Sequence, residues 1–240
     1  MNSEFKNKMK DLAKKINIDL KEKQIQDFYE YMDLLLEWNE KINLTAITEI
    51  DDIILKHFID SMTIIKYLKE NDNIIDVGTG AGFPGIPVAI MNTSFKITLL
   101  DSLNKRILFL TEVCKNLELR NVETIHGRAE DFGQNNNNRE KYNVAVSRAV
   151  ANLATLSEYL LPLVKVGGEC ICMKGPDVER EIEEAKFAIK ELGGKIEKID
   201  SFILPNSDIE RNIVIIKKIQ ETPKKYPRKA GTPSKLPLKK

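Results

Sequence analysis

The chain has 240 residues, of which 42% are hydrophobic and 30% are charged, and its formal net charge at pH 7 is +1. This composition is too hydrophobic for a disordered chain and supplies enough apolar side chains for one substantial core, so we expect a globular protein. The longest uncharged stretch, 77–95, contains four glycines and two prolines, which excludes a membrane-spanning helix there.

The first 70 residues are predicted to form helices. Apolar residues recur at spacings of three and four between Ile25 and Leu36, and a second apolar face runs from Ile53 to Leu68. We expect these helices, residues 1–70, to form an extension that packs on a larger domain.

From Asn73 onward, short apolar runs alternate with amphipathic segments, and the last two runs follow each other without a helix between them. Alternation predicts parallel strands with right-handed crossovers, whereas the final pair predicts an antiparallel hairpin. The sequence therefore predicts an α/β domain over residues 71–222 with a seven-stranded, mostly parallel sheet. Its strands are NIIDVG, KITLLD, VETIHG, YNVAVSRA, GGECICMKG, KIEKIDSFIL and ERNIVIIKK.

A glycine-rich loop, DVGTGAGFPG at 76–85, lies directly after the first strand and before a helix. Glycines there let the backbone turn sharply and approach a ligand. As a dinucleotide fingerprint, however, the loop puts Phe83 in the last position when counted from Gly78, and Pro84 inside the turn when counted from Gly80. A nicotinamide-dependent oxidoreductase is a weakened interpretation that stays open.

The other interpretation is the Asp-x-Gly-x-Gly loop of class I S-adenosylmethionine enzymes, with Gly78 and Gly80 beside the ligand. Asp101 ends the second strand, 23 positions after Gly78, as expected for a carboxylate that accepts both ribose hydroxyls. Ala129, Glu130 and Asp131 follow the third strand, where a backbone amide and a carboxylate would read an adenine edge. Three consecutive strand ends thus predict one cofactor pocket.

Three cysteines, Cys114, Cys170 and Cys172, have no Cys or His partner at ligand spacing, so we expect reduced core residues and no metal site. The first twenty residues contain no continuous apolar core, which argues against a signal peptide. We expect a cytoplasmic protein that is a monomer.

The last 18 residues, 223–240, carry six lysines and one arginine without any acid, which leaves the preceding 222 residues with a net charge of −6. Four prolines in this tail predict an extended, solvated segment that neither forms a helix nor buries a core. A solubilising tail and a polyanion-binding arm are both open, and the charge favours the arm.

The chain resembles the bacterial small-subunit ribosomal RNA guanine-N7 methyltransferases, also called the glucose-inhibited division protein B family. The resemblance covers nearly the whole chain and is carried by HFIDS, DVGTGAGFPGIP, LLDSLNKR, GRAED, SRAVA, MKG and the tail motif RKAGTPSKLPL. It implies a Rossmann-like class I S-adenosylmethionine-dependent methyltransferase fold with an N-terminal helical extension. It also implies methyl transfer to N7 of a guanine in 16S ribosomal RNA, with that RNA or the small ribosomal subunit as partner and no membrane.

By similarity, the cofactor contacts fall on Gly78, Phe83, Ala129, Glu130 and Arg148, which Gly80 and Asp101 join from the spacing. Arg148 would hold the methionine carboxylate or an RNA phosphate, and the resemblance favours the cofactor. We expect RNA binding to draw on Lys224, Lys225, Arg228, Lys229 and Lys235.

Guanine N7 has a free lone pair and no proton to lose, so we assign no catalytic acid or base. For His57 and Asp60, packing and chemistry both stay open. A non-catalytic RNA-binding module with a relic pocket is a further alternative.

Overall fold

The computed structural model describes residues 2–148 and 150–240. Seven strands form one sheet in the order β3-β2-β1-β4-β5-β7-β6, and β7 runs antiparallel to both of its neighbours. All seven predicted strands and the terminal antiparallel pair are confirmed. The strands are β1 Asn73–Val77, β2 Lys96–Asp101, β3 Val122–His126, β4 Tyr142–Arg148, β5 Val164–Lys174, β6 Gly194–Ile203 and β7 Glu210–Lys218.

Helices cover both faces of the sheet, which accounts for the alternation along the chain. A π-helix, Ile53–Ile59, and two 3₁₀ turns, Ile65–Tyr67 and Leu161–Leu163, complete the helical elements of the described residues. The α-helices are α1 Ser3–Lys15, α2 Glu22–Ile42, α3 Ile50–Asp52, α4 Asp60–Met62, α5 Gly85–Met91, α6 Asn104–Asn116, α7 Ala129–Gln134, α8 Leu153–Leu160, α9 Val178–Glu191 and α10 Thr232–Lys235.

The N-terminal helices share their core with the sheet. Apolar side chains of α1, α2 and the π-helix pack in one cluster with α5, α6 and one face of the strands, as Phe28, Phe58, Phe109 and Ile74 illustrate. The predicted extension is therefore present and packed on the sheet.

The opposite face of the sheet carries a second apolar cluster, built with α8 and α9. Because side chains alternate along a strand, Ile74 of β1 faces the first cluster and Ile75 faces the second. Cys170 and Cys172 are fully buried in this second cluster, as predicted for core residues, and burial raises the pKa of the Cys172 thiol to about 12.

The C-terminal segment differs from the solvated tail that the sequence predicts. Tyr226 and Pro233 are buried, Tyr226 belongs to the second core cluster, and Thr232–Lys235 forms the short helix α10. The expectation was wrong because charge and proline content describe the segment alone, whereas its binding partners lie on α7, α8 and α9. Among the described residues, no helix combines the length and apolar character that a bilayer crossing requires.

Candidate functional site

The loop at 78–84 follows β1 and is fixed by the buried carboxylate of Asp76. Oδ2 of Asp76 accepts hydrogen bonds from the Thr79 hydroxyl at 2.7 Å and from the Gly85 amide at 2.8 Å. Burial raises the pKa of Asp76 to about 7. One carboxylate oxygen thus holds the start of the loop and the start of α5 together.

Gly78 has a backbone conformation that favours glycine, and a side chain there would meet a neighbouring residue. Its φ is +70°, and a Cβ there would lie 2.6 Å from Cγ2 of Val150. Its amide donates to the Leu100 carbonyl of β2 at 2.8 Å, so the loop crosses directly over the neighbouring strand end. Gly80 also has a left-handed φ, +64°.

The N-terminal helices support the loop from below. The hydroxyl of Tyr31, in α2, donates a hydrogen bond to the Ala81 carbonyl of the loop. Phe83 is 5% exposed, lies 5.4 Å from the Tyr31 ring and stacks on the His57 ring at 4.3 Å between centroids. Phe83 therefore packs between the glycine loop and the rings of Tyr31 and His57.

Asp101, at the end of β2, connects the strand to the glycine loop. Its Oδ2 accepts from the Gly80 amide at 2.9 Å and from Arg106 at 3.2 Å, and its Oδ1 accepts from the Leu103 amide at 2.9 Å. The carboxylate is 2% exposed, and Oδ1, which accepts a single hydrogen bond, keeps a further lone pair for a ligand.

A cavity of about 230 Å³ lies at the carboxyl ends of β1, β2 and β3, and we call it the strand-end cavity. Four of the predicted cofactor residues, Gly78, Asp101, Ala129 and Glu130, line it. The structure thus brings together residues from three consecutive strand ends.

A second cavity of about 640 Å³, the arginine cavity, adjoins the first, since Val150 and Ala151 line both. Arg148 lines it at the end of β4, where Nη1 donates to the Lys56 carbonyl at 2.8 Å and Nη2 lies 3.0 Å from Nδ1 of His57. The guanidinium carbon also lies 4.9 Å from the Phe83 ring centroid.

Asp60 connects Arg148 to the far end of the sheet. Its Oδ2 lies 3.3 Å from Nη1 of Arg148 and 3.1 Å from Nε of Arg211, on β7. His57 and Asp60 therefore both contact Arg148. Sequence reasoning missed Arg211, because its part in the site depends on β7 inserting between β5 and β6.

The C-terminal segment also reaches the strand-end cavity, where Gly231 and Ser234 contribute to its lining. The Gly231 amide donates to Oε1 of Glu130 at 2.8 Å. Sequence analysis missed these lining residues because the composition indicates a charged tail. The run Gly231-Thr232-Pro233 within the tail motif is nevertheless a turn signal.

The five cations predicted to bind RNA fall into two groups. Arg228 pairs with the fully buried Glu158 at 2.7 Å, and Lys225 pairs with Glu191 at 3.0 Å near the surface. The side chains of Lys224, Lys229 and Lys235 are exposed and form no ion pair with the described residues.

The site combines two kinds of chemistry. Carboxylates of Asp101 and Glu130 with a glycine backbone suit a ligand that presents hydroxyl and amino donors, as a nucleoside does. The guanidinium groups of Arg148 and Arg211 and the Lys56 side chain suit a carboxylate or phosphate in the adjoining cavity.

Comparison with known proteins gives one family. The family model described as "GidB: rRNA small subunit methyltransferase G" matches residues 24–214. A protein of Alkaliphilus oremlandii (strain OhILAs), "Ribosomal RNA small subunit methyltransferase G", is 55% identical over 238 residues, which are 98% of this chain and 100% of the relative. A protein of the same name from Clostridium novyi (strain NT) is 52% identical over 242 residues, 99% of this chain and 100% of the relative.

The fold has counterparts among solved structures. The crystal structure of M. jannaschii TYW2 in complex with AdoMet superposes with a TM-score of 0.53 at 15% identity, over 67% of this chain and 75% of that protein. At this identity the likeness concerns the fold alone.

Proposed function

The chain belongs to the GidB family, rRNA small subunit methyltransferase G, and from this premise we propose that it transfers a methyl group from S-adenosylmethionine to N7 of a guanine in 16S ribosomal RNA. The observation that carries the proposal is the pair of adjoining cavities at the strand ends. One has the acceptors of a nucleoside site and the other has the cations of a phosphate or carboxylate site.

The residues of the strand-end cavity fit the adenosine part of the cofactor. Asp101 and Glu130 supply acceptors for ribose hydroxyls and the adenine edge, as the sequence predicts. The bare backbone of Gly127 leaves room for the ligand, since a Cβ there would meet only Leu100 at 3.5 Å. Bound there, the cofactor supplies an electrophilic methyl group on a sulfonium.

Arg148 is proposed to hold the methionine carboxylate. Its guanidinium is already oriented by Asp60, by His57 and by the Lys56 carbonyl, so little conformational freedom is lost on binding. The oxidoreductase alternative is set aside, because the family is one of methyltransferases.

The acceptor guanine needs alignment more than proton transfer. N7 presents its lone pair without a proton to lose, so the contribution of the protein is to hold the base in line with the methyl group. Lys56 and Arg211 line the arginine cavity and are proposed to contact the RNA backbone beside it.

RNA binding at the tail is proposed for Lys224, Lys225, Lys229 and Lys235. Lys225 is included because an exposed ion pair contributes little and exchanges readily for a phosphate contact. Arg228 is left out, because its guanidinium is already bound by Glu158. We propose that the substrate is 16S rRNA or the small ribosomal subunit. We also propose that the reaction takes place in the cytoplasm, where this substrate is found.

The test is methyl transfer from labelled S-adenosylmethionine to 16S rRNA and to small subunits from cells that lack this protein, followed by mapping of 7-methylguanosine. We expect one labelled guanine with wild-type protein, strong loss with Asp101→Asn, and full activity with Asp131→Asn, an exposed acid outside the cavity. Label on another atom of guanine, or on no RNA, would refute the proposal.

A further inference from the structure

The C-terminal segment from Tyr226 to Leu238, which we call the clasp, is bound to the body of the protein along its length. At its start, Arg139 donates to the Tyr226 carbonyl at 2.7 Å and Gln134 donates to the Pro227 carbonyl at 2.6 Å. At its end, Leu238 packs on the second core cluster. The clasp is therefore a packed element of the fold.

The centre of the clasp is held by a bidentate ion pair. Nε of Arg228 donates to Oε1 of Glu158 at 2.9 Å, Nη2 donates to Oε2 at 2.7 Å, and the Arg228 amide adds a bond to Oε1 at 2.8 Å. Glu158 lies on α8 and is 0% exposed. Parallel charge-assisted bonds of this kind fix geometry as well as contribute energy.

The same guanidinium also shapes the clasp internally. Nη2 of Arg228 donates to the Leu236 carbonyl at 2.8 Å, which closes the chain around α10. A further bond joins the clasp to α8, from the Thr155 hydroxyl to the Pro233 carbonyl at 3.0 Å. These bonds bracket Gly231 and Ser234, the two clasp residues that line the strand-end cavity.

Glu130 connects the clasp to the site. Its Oε1 accepts from the Gly231 amide, so the clasp fixes one oxygen of a carboxylate that faces the cavity and leaves Oε2 for a ligand. If the clasp were displaced, Glu130 would lose this partner and the cavity would lose one wall.

We propose that Arg228 and Glu158 are positioning residues for cofactor binding: they hold the clasp so that Gly231 orients Glu130 and closes the strand-end cavity around the adenosine. The inference rests on the proposed function, which places S-adenosylmethionine in that cavity. It assigns the one arginine of the basic tail to the cofactor site, and the exposed lysines to RNA.

The first test measures binding of S-adenosylhomocysteine to the full-length chain by calorimetry. We expect Arg228→Gln to weaken binding by at least about tenfold. The loss of a hydrogen bond to a charged group changes an equilibrium constant by a factor of about ten or more. Arg180→Gln removes an exposed Arg–Glu pair on α9 and should change the affinity less than about twofold. RNA affinity should fall less in Arg228→Gln than cofactor affinity does.

Arg228→Gln leaves Glu158 buried and unpaired, which could impair folding. The double variant Glu158→Gln with Arg228→Gln leaves no buried charge without a partner, and Arg228→Lys keeps the charge but lacks the fork. We expect weaker S-adenosylhomocysteine binding in both, with a smaller loss in Arg228→Lys. Unchanged affinity in these folded variants would overturn the inference.

The second test uses reciprocity, because a clasp that favours cofactor binding must itself be stabilised by the cofactor. Amide hydrogen exchange in residues 226–236 should slow when S-adenosylhomocysteine is saturating, and by a larger factor than in β6, which lies away from both cavities. If the wild type binds S-adenosylhomocysteine tightly but exchange in these residues is unchanged, the inference about the clasp is wrong and the proposed function still stands. Absence of wild-type binding would instead sink the proposed function.

Discussion

At the scale of single residues, the contact between Arg148 and His57 fixes the protonation of the histidine. A guanidinium only donates, so Nδ1 of His57 must accept, and Nε2–H donates to the Thr45 hydroxyl at 2.9 Å. Burial and then the Arg148 charge lower the pKa of His57 to about 3. The side chain is therefore a neutral positioning group for Arg148.

We predict that nitrogen NMR of histidine-labelled protein will show His57 as the neutral Nε2–H tautomer at pH 5. The exposed His126, the other histidine of the chain, gives the reference signal in the same spectrum. A charged His57 ring at that pH would contradict the arrangement with Arg148.

The same group makes stability depend on pH. Between about 3 and 6.5 the unfolded chain binds a proton at His57 that the folded chain excludes, so this contribution to the free energy of unfolding is present above pH 6.5 and is lost as the pH falls. We expect wild type to lose more stability than His57→Gln between pH 6.5 and 4, measured by urea unfolding. If the free energy of unfolding of the two proteins fell equally over this pH range, His57 would be protonated in the folded state.

At the scale of elements, the strand ends and the turns between them decide the site. The seven strands were predictable because each is a short apolar run bounded by turn residues, and because alternation fixes their direction. The π-helix that presents His57 and the Lys56 carbonyl to Arg148 was not, since its apolar residues also fit an α-helix.

Two glycines with left-handed backbone allow the effect of backbone strain to be distinguished from the effect of steric contact with a neighbour. Gly78 and Gly167 have φ of +70° and +87°, but a Cβ meets Val150 at 2.6 Å at the first position and nothing within 4 Å at the second. Alanine at either position costs about 1 kcal/mol of backbone strain, and overpacking adds about 1–3 kcal/mol at Gly78.

We therefore expect Gly78→Ala to lower the free energy of unfolding in urea more than Gly167→Ala, which lies in β5 away from the cavities. Only Gly78→Ala should also weaken S-adenosylhomocysteine binding. Equal losses of stability would mean that Val150 moves aside without cost.

At the scale of the whole molecule, the charge is divided between an acidic body and a basic C-terminal segment. The exposed lysines of this segment include Lys224, Lys229 and Lys235, which form no ion pair with the described residues. If each of them contacts a phosphate of single-stranded RNA, together they should contribute about 2 to the slope of log RNA affinity against log salt concentration.

Replacing all three lysines with Ala should reduce the slope of RNA affinity against salt by about 2 and leave S-adenosylhomocysteine affinity unchanged. The matched control replaces Lys141, Lys165 and Lys195, three exposed lysines at the amino ends of β4, β5 and β6, on the edge of the sheet opposite the site. A similar change of slope in both triple variants would remove the RNA role from the C-terminal segment.

The amino-acid sequence by itself determined the sheet, the glycine loop and the acidic residues at the next two strand ends, because periodicity and turn chemistry are local and strand direction follows from connectivity. It did not determine how Arg228 is used, since its partner Glu158 is 70 residues away and a run of cations is by itself typical of a solvated arm. Only the tertiary structure brings the two together, and with them Gly231 to Glu130. The reason is physical: a buried carboxylate must be paired, and which cation pairs with it depends on how the chain packs.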